Sequence, residues 1–410
     1  MKKPELLAPA GSLSKLKYAI MYGADAVYIG GEAFSLRVAA KNFTMEEIAE
    51  GIKFAHDRGK KVYITANIIP HNADLKLFPD FVREVDRLGA DAIIVSDLGT
   101  FSIVREVAPD LEIHISTQAN NTNYRSAQMW HSLGAKRVVL ARDLTFKEIR
   151  EIRDKLDPEC EIENFVHGAM CISYSGRCLL SNYMTHRDAN KGACAHPCRW
   201  KYYLMEEKRP GEYMPVFENE RGTFIYNSKD LCMVEHIPEL IEAGIDSFKI
   251  EGRVKNELYV ATVVKSYRRA IDAYFENPDS YKFDETIADE LSKVSHREYT
   301  PGFYYGKPDG NQQLYTSNTY IQDYTIVGVV VSYNASTGEA VIEQRNRFFK
   351  GDEIEVITPD GDDYAFTVDK MYNDRDEEID VAPHAQMIVK MNMEHPVGEY
   401  TILRKCVKEE

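Results

Sequence analysis

The sequence contains no apolar run long enough to cross a membrane, and residues 1–11 lack the apolar stretch of a secretory signal peptide. We therefore expect a cytoplasmic protein without a membrane partner. Basic residues are also scarce, since 50 Lys and Arg stand against 65 Asp and Glu, a net charge of −15. Because such a molecule repels a phosphate backbone overall, any nucleic-acid partner requires a local basic surface.

The sequence also lacks a glycine-rich phosphate loop after its first apolar strand, where Pro9-Ala10-Gly11 predicts only a turn. This absence argues against a dinucleotide-binding fold. The 24 glycines and 16 prolines are dispersed, and 44% hydrophobic with 28% charged residues is typical of globular proteins, which excludes wholesale disorder. A length of 410 residues suffices for two to three domains.

A repeated pattern organises the first part of the chain. Helical stretches end at Gly23, Gly89, Gly134 and Gly244, and each glycine leads into an apolar run, as a helix C-cap leads into a buried strand. A capping box at Thr44 begins one of the intervening helices. The predicted strands span residues 5–8, 26–30, 61–67, 92–97, 112–118, 137–142, 162–167 and 247–251. Eight alternating units predict an α/β protein with a (β/α)8 TIM-like barrel over residues 1–280; an open flavodoxin-like sheet is the alternative.

The interval between the last two predicted strands is too long for one helix. It predicts a large Cys-rich insertion after strand 7, at about 168–235, which would cover the C-terminal face of the barrel, where catalysis takes place in this fold. A helical and Gly-Tyr-rich connector follows at 281–320. Alternating strands and turn signals then predict a small antiparallel β-barrel domain at 321–410.

Most of the cysteines fall in this insertion. In a reducing compartment they are not expected to form disulfides, so four thiols within one short segment favour a metal site over plain burial. Structural zinc sites prefer two close pairs of ligands, and only one pair here is close, which favours an iron–sulfur cluster. The candidate ligands are Cys171, Cys178, Cys194 and Cys198, with Cys232 farther along. Cys160 and Cys406 stand apart and are interpreted as ordinary residues.

A second interpretation makes Cys171 a nucleophile with His167 as its base, as in a cysteine peptidase. No third, orienting group is identifiable for this pair. We therefore rank the peptidase below the metal site.

Polar residues at the predicted strand ends are candidates for the barrel mouth. Alternation along the eighth strand turns Lys249 and Glu251 to the barrel interior, with Arg253 at the strand end. These side chains form either an internal ion pair or a pocket for a carboxylate or phosphate, with Arg142 and Arg253 as guanidinium donors. We predict His167, Lys249 and Glu251 as catalytic residues, and Asn67, Gln118, Arg142 and Arg253 as substrate-binding residues.

Basic and aromatic residues alternate within the insertion, a composition that suits single-stranded RNA loops. Local sequence alone favours the alternative, a solvated loop whose aromatic side chains pack onto the barrel. The residues are Arg177, Arg187, Lys191, Arg199, Trp200, Lys201, Tyr202 and Tyr203.

The stretch from Glu163 to Ser181, which contains both Cys171 and Cys178, closely resembles the signature of the collagenase-like peptidase family U32. Residues 7–11, 23–30, 249–253 and 296–303 extend the resemblance over nearly the whole chain, and the C-terminal part resembles that family's small barrel domain. Some members were named proteases, whereas others hydroxylate RNA or quinone precursors. The chain most resembles the branch that converts a tRNA wobble uridine to 5-hydroxyuridine, with prephenate required and without molecular oxygen.

The resemblance implies a [4Fe–4S] cluster on Cys171, Cys178, Cys194 and Cys198. The quinone branch places its fourth ligand farther along, which keeps Cys232 as a rival to Cys198. It further implies tRNA as partner and prephenate, a small dicarboxylate, as co-substrate. The leading hypothesis is therefore an iron–sulfur tRNA hydroxylase; a peptidase, or a non-catalytic RNA-binding or assembly protein with a structural metal site, are the alternatives. The sequence carries no indication of oligomeric state.

Overall fold

The computed structural model describes residues 2–31, 33–35, 42–171, 173–175, 177–200, 203–204, 214–215, 229–306 and 321–407. In chain order the strands up to residue 300 are β1 (Glu5–Pro9), β2 (Ala26–Gly30), β3 (Lys61–Thr65), β4 (Ala92–Val95), β5 (Glu112–Ile115), β6 (Arg137–Val139), β7 (Glu161–Ala169), β8 (Tyr203–Leu204), β9 (Met214–Pro215), β10 (Asp230–Cys232), β11 (Ser247–Ile250) and β12 (Tyr299–Thr300).

Eight parallel strands, β1–β7 and β11, form a closed barrel. Each strand pairs with the next from β1 to β7, and β11 closes the ring because it pairs with both β1 and β7. These are the eight strands that the sequence predicts, and the closure excludes an open flavodoxin-like sheet. The prediction of a (β/α)8 barrel is therefore confirmed.

Ten helices occur in the described residues. One follows each barrel strand or, for β7, the insertion after it; a short helix lies inside that insertion, and another follows the last barrel helix. They are α1 (Leu13–Met21), α2 (Met45–His56), α3 (Phe78–Arg87), α4 (Leu98–Val107), α5 (Tyr124–Ser132), α6 (Phe146–Lys155), α7 (Leu180–Thr185), α8 (Ile237–Glu242), α9 (Glu257–Glu276) and α10 (Glu285–Ser292). None of the helices in the described ranges is long and apolar enough to cross a membrane.

Local sequence explains where these helices begin and which face they bury. The predicted capping box of α2 is present, with Thr44 accepting from the Glu47 backbone and Glu47 accepting from the Thr44 backbone. Ile48 and Ile52 lie one turn apart on α2 and are both buried against the sheet. Each such side chain contributes roughly 1.5–3 kcal/mol of transfer free energy, which holds the helix on the barrel.

The predicted insertion begins where β7 ends. Its described residues include α7, the short pair β8–β9, and β10, which runs antiparallel to β7 and also pairs with β12. Residues 201–202, 205–213 and 216–228 of the predicted insertion lie outside the described residues, as do residues 307–320 of the predicted connector.

The C-terminal part is an antiparallel half-barrel sheet with its own apolar core. Its strands are β13 (Tyr324–Asn334), β14 (Glu339–Gln344), β15 (Phe348–Phe349), β16 (Glu353–Ile357), β17 (Tyr364–Thr367), β18 (Met371–Tyr372), β19 (Glu378–Ile379), β20 (Val381–Ala382), β21 (Ile388–Asn392) and β22 (Ile402–Cys406). Eight of them pair in the order β17-β16-β22-β13-β14-β21-β18-β19. The fully buried Arg404 joins this sheet to the barrel part, because it hydrogen-bonds Glu290 on α10 and Glu355 on β16.

Candidate active site

The carboxyl ends of the barrel strands surround a small cavity of about 50 Å³. All predicted substrate-binding residues line it, together with Lys249 and Glu251, two of the three predicted catalytic residues. Their side chains come from the ends of β3, β5, β6 and β11, which a closed parallel barrel brings to one mouth. The predicted residues in this lining are Asn67, Gln118, Arg142, Lys249, Glu251 and Arg253.

Three cations converge on the cavity. Arg253 is 5% exposed and its Nη1 donates to Ser35 Oγ at 2.8 Å and Thr65 Oγ1 at 3.1 Å. Arg142 donates to the Ala169 carbonyl at 2.6 Å and stacks its guanidinium 4.0 Å from the Phe165 ring centre. Because these contacts hold both guanidinium groups in place, the mouth presents positive charge in a fixed geometry.

Lys249 is held by a carboxylate deeper in the barrel. Its Nζ lies 2.5 Å from Glu163 Oε1, and its side chain is only 5% exposed. Burial acts to raise the pKa of Glu163, but Lys249 and Arg137 outweigh it and hold that pKa below its ordinary value. Lys249 therefore belongs to an internal ion pair, but its partner is Glu163 and not Glu251, the carboxylate that the sequence predicts beside it. The same ammonium still lines the cavity.

Glu163 and Arg137 were not among the predicted site residues. Glu163 is the first residue of the signature stretch. It lies two positions before Phe165, which lines the cavity, and alternate residues of a strand face the same side, so strand alternation could have predicted that Glu163 points inward. Arg137 lies on β6 and bonds Glu163 at 3.1 Å, Glu161 at 2.7 Å and Glu5 at 2.6 Å. This network connects the barrel floor to the mouth.

Several buried polar atoms at the mouth have no hydrogen-bond partner among the described residues. They are Asn67 Oδ1, Gln118 Oε1, Asn120 Oδ1 and Arg142 Nε. A buried polar group without a partner costs about 1–3 kcal/mol, so a cluster of them marks a place where a ligand or water completes the bonding. Asn67 and Asn120 each use their amide nitrogen, to Ser116 Oγ and the Ser175 carbonyl, and so their amide oxygens remain available.

His167, the third predicted catalytic residue, does not line this cavity. It is 1% exposed and contacts the rings of Tyr259, Tyr267 and Tyr299. Burial lowers the pKa of His167 to about 3, with smaller contributions from His296 and Lys255. The imidazole is therefore neutral near pH 7.

A bulge explains this placement. Phe165 lies opposite Lys249, but His167 lies opposite the next residue of β11, Ile250. Strand β7 therefore contains one extra residue, Val166, at this point. The prediction of His167 depended on its position at a strand end, and that position does not reveal a bulge. His167 Nδ1 lies 3.4 Å from Tyr267 Oη and its Nε2 has no partner in the described ranges, so no hydrogen bond joins it to Cys171 there.

The candidate ligand cysteines lie in the segment that follows β7. Cys171 is exposed, whereas Cys178, Cys194 and Cys198 are half-buried, and all are free thiols. Cys194 Sγ accepts a hydrogen bond from the His196 backbone at 3.4 Å. The chemistry of this donor set fits an iron–sulfur cluster, since thiols are the ligands such clusters use. Among the described residues, however, no group of three or more His, Cys, Asp or Glu side chains stands close enough to hold a metal ion.

Cys232 lies in a different environment from these four. It sits on β10 opposite His167, and Tyr267 Oη is 4.0 Å from its sulfur. Burial of the thiol raises the pKa of Cys232 to about 12. Cys160 is fully buried in the barrel core and Cys406 is exposed near the end of β22.

Known proteins are similar to this sequence over most of its length. The profile of peptidase family U32 matches residues 11–314, and that of the U32 C-terminal domain matches residues 322–404. The tRNA hydroxylation protein P1 of Bacillus subtilis is 43% identical over 404 residues, which cover 98% of this chain and 95% of that protein. The tRNA hydroxylation protein P of Escherichia coli is 40% identical, with 93% of this chain and 92% of that protein covered.

A more distant relative is the 23S rRNA 5-hydroxycytidine synthase of Escherichia coli, which is 38% identical over 305 residues. These cover 73% of this chain and 45% of that protein. The two family profiles together cover nearly the whole chain, and the two tRNA hydroxylation proteins align with it over almost their full length. These matches assign the chain to a family. The chain belongs to peptidase family U32.

Proposed function

We propose that this protein hydroxylates tRNA, converting a wobble uridine to 5-hydroxyuridine in a prephenate-dependent reaction that does not use molecular oxygen. The observation that carries the proposal is the barrel mouth, where three cations and the unpartnered amide oxygens of Asn67 and Gln118 line one cavity. The names of the relatives as tRNA hydroxylation proteins support it independently.

The cations suit a dicarboxylate co-substrate. Guanidinium groups bind carboxylates through paired hydrogen bonds, and Arg142 and Arg253 both line the cavity. Lys249 adds a third positive charge at the same wall. Each carboxylate of a dicarboxylate ligand would therefore have a cationic partner.

The amide groups suit a nucleobase. Uracil presents two carbonyl acceptors and one N–H donor on its edge. At the cavity the amide oxygens of Asn67 and Gln118 are acceptors without a partner, and Arg142 Nε is a donor without one. Amides that read a base edge act in the same way in other nucleic-acid complexes. A uridine turned out of its stack would donate its N3–H to one of these amide oxygens and accept a hydrogen bond from Arg142 Nε.

The cysteines would hold the metal centre. In this proposal Cys171, Cys178, Cys194 and Cys198 bind a [4Fe–4S] cluster, which would supply electron transfer or substrate activation when bound. The chain's own residues bind and orient the two substrates: Arg253 and Arg142 hold carboxylates, and Glu163 keeps the Lys249 ammonium in position.

The test is the nucleoside content of tRNA. We expect 5-hydroxyuridine and its derivatives to disappear when the gene is deleted, to return with the wild-type protein, and to fall at least tenfold with Arg253→Ala. Arg83→Ala removes an exposed arginine from the outer helix α3 and serves as the control, with no expected change. Mass spectrometry of digested tRNA gives the readout, and unchanged 5-hydroxyuridine after deletion would overturn the proposal.

The alternatives give different results. A peptidase built on Cys171 predicts hydrolysis that survives chelation and is lost in Cys171→Ala; the bonding of His167 to Tyr267 rather than to Cys171 does not favour it. A non-catalytic RNA-binding or assembly protein with a structural metal site predicts that tRNA modification is unchanged in a variant that lacks all four candidate ligands. Anaerobic purification with iron and sulfide assays, on Cys198→Ala and Cys232→Ala separately, tests the cluster and its fourth ligand.

A further inference from the structure

The segment that follows β7 exposes aromatic and basic side chains at the edge of the barrel mouth. We call this surface the rim strip and define it by six residues. They are Tyr174, Arg177, Tyr183, His186, Arg187 and Trp200, and all six are exposed.

The aromatic side chains of the rim strip keep large exposed fractions. Tyr183, on α7, is 82% exposed, Tyr174 is 48% exposed and Trp200 is 45% exposed. Exposing large rings costs hydrophobic free energy, so several of them on one surface mark an interaction site. Lys201 and Tyr202 lie outside the described residues, and the side chains of Arg199 and Tyr203 are not described.

The charge of this segment is opposite to that of the molecule. Residues 171–200 contain four Lys or Arg and only one acidic residue, Asp188, whereas the whole chain carries −15. Among the described residues no ion pair engages Arg177 or Arg187, while Lys191 pairs with Asp74 at 3.0 Å. The rim strip is thus a local basic surface on an acidic protein, which is what a polyanionic partner requires.

The rim strip is held in a defined position relative to the cavity. The buried Ser181 Oγ donates to the Arg187 carbonyl at 2.9 Å and accepts from the Ala195 backbone at 3.0 Å, which ties α7 to the loop behind it. Asn120 Nδ2 donates both to the Ser175 carbonyl and to the carbonyl of Gln118, and Gln118 lines the cavity. One side chain therefore connects the rim strip to the mouth.

We infer that the rim strip binds the unpaired loop of a structured RNA, stacking its bases on Tyr183 and its aromatic neighbours while Arg177 and Arg187 contact phosphates. Stacking needs bases that are not already stacked in a duplex, so the surface selects a loop over a paired stem. The inference deepens the proposed function and rests on it for the identity of the RNA as tRNA.

The test measures RNA affinity of the purified full-length protein by fluorescence anisotropy. The probes are a short stem-loop RNA and a fully paired duplex of the same stem. We expect Tyr183→Ala to weaken stem-loop binding about five- to a hundredfold and to leave duplex binding unchanged. Phe349→Ala, which removes a 43% exposed ring from the C-terminal sheet, is the matched control and should bind as the wild type does.

The charges are tested by salt dependence. Replacing Arg177 and Arg187 with Ala should reduce the slope of log affinity against log salt concentration by about 0.7 for each phosphate that the protein no longer neutralises, whereas Arg83→Ala should not change it. Wild-type affinity in both Tyr183→Ala and the double variant would overturn the inference. So would a wild-type protein that binds no RNA but self-associates through Tyr183 in sedimentation.

These outcomes separate the inference from the proposed function. If the wild type binds the stem-loop through Tyr183 but deletion leaves 5-hydroxyuridine unchanged, the RNA surface is established and the hydroxylase proposal fails. If Tyr183→Ala modifies and binds tRNA as well as the wild type does, the hydroxylase proposal holds and the rim strip is not the docking surface.

Discussion

At the scale of single residues, one carboxylate sets the electrostatics of the barrel mouth. Glu163 is fully buried and contacts both Lys249 and Arg137. A buried charge with these partners is stable, but either cation alone in the same place would carry a large desolvation penalty. Glu163 therefore positions the ammonium of Lys249 at the cavity wall, although its own side chain lies below the cavity.

Glu163→Gln tests this role. We expect the free energy of unfolding to fall by about 3 kcal/mol, because two buried cations lose their shared counter-charge. Glu161→Gln also removes a carboxylate from Arg137, but Glu161 is 19% exposed and leaves no second buried cation without a partner, so we expect a smaller decrease. Urea denaturation of both variants gives the comparison, and equal decreases in stability would contradict the assignment.

At the scale of elements, the end of β7 shows how a local irregularity shapes the site. The bulge opposite Ile250 sends His167 away from the mouth, and Gly168 then adopts a φ of +106°. A Cβ at Gly168 would lie 2.6 Å from the Glu251 carbonyl oxygen, so only glycine allows β7 to approach the residue that lines the cavity.

Gly168→Ala is therefore expected to lower the free energy of unfolding for two reasons, the positive φ and the clash of the new Cβ with the Glu251 carbonyl oxygen. Gly59→Ala provides the matched control, because Gly59 also has a positive φ, of +67°, with no atom within 4 Å of the added Cβ. We expect about 1 kcal/mol for Gly59→Ala and about 3 kcal/mol or more for Gly168→Ala. Thermal unfolding measures both, and similar shifts in Tm would show that the close approach is unimportant.

At the scale of the whole molecule, a chain of charges passes through the barrel from floor to mouth. Glu5 on β1 bonds Arg137 on β6, and Arg137 bonds Glu163 on β7, whose other oxygen meets Lys249 on β11. Tyr63 on β3 also donates to Glu5 at 2.6 Å. These contacts join strands that are distant in sequence, so the network forms only when the barrel closes.

The network predicts acid sensitivity. Burial acts to raise the pKa of Glu5, but Arg137 and Tyr63 lower it from 4.5 to about 2. Since the folded pKa lies below the unfolded one, the stabilisation is complete above about pH 4.5 and is lost as the pH falls towards 2. We expect Glu5→Gln to be less stable by roughly 2–3 kcal/mol at pH 7 and to show a flatter decline below pH 4.5, measured by Tm against pH. A parallel decline in both proteins would contradict this.

Much of this fold and part of the site could be predicted because the signals are local. Apolar runs and C-cap glycines define the eight strands, and Thr44 with Glu47 begins α2 as expected. Strand ends placed Asn67, Gln118, Arg142 and Arg253 at one mouth, because a parallel barrel brings all its carboxyl ends together. His167 does not lie at this mouth, because a bulge turns it away, and a bulge depends on the pairing with the partner strand and not on the residue itself.

The sequence by itself determined which segments become strands and helices, because their periodicity and capping residues act over a few positions. Only the tertiary structure decided that Lys249 pairs with Glu163, that His167 faces three tyrosines and that Tyr183 is left exposed. Those outcomes depend on which surfaces meet after the chain closes, and the burial and contacts of each side chain are then set by neighbours far along the sequence.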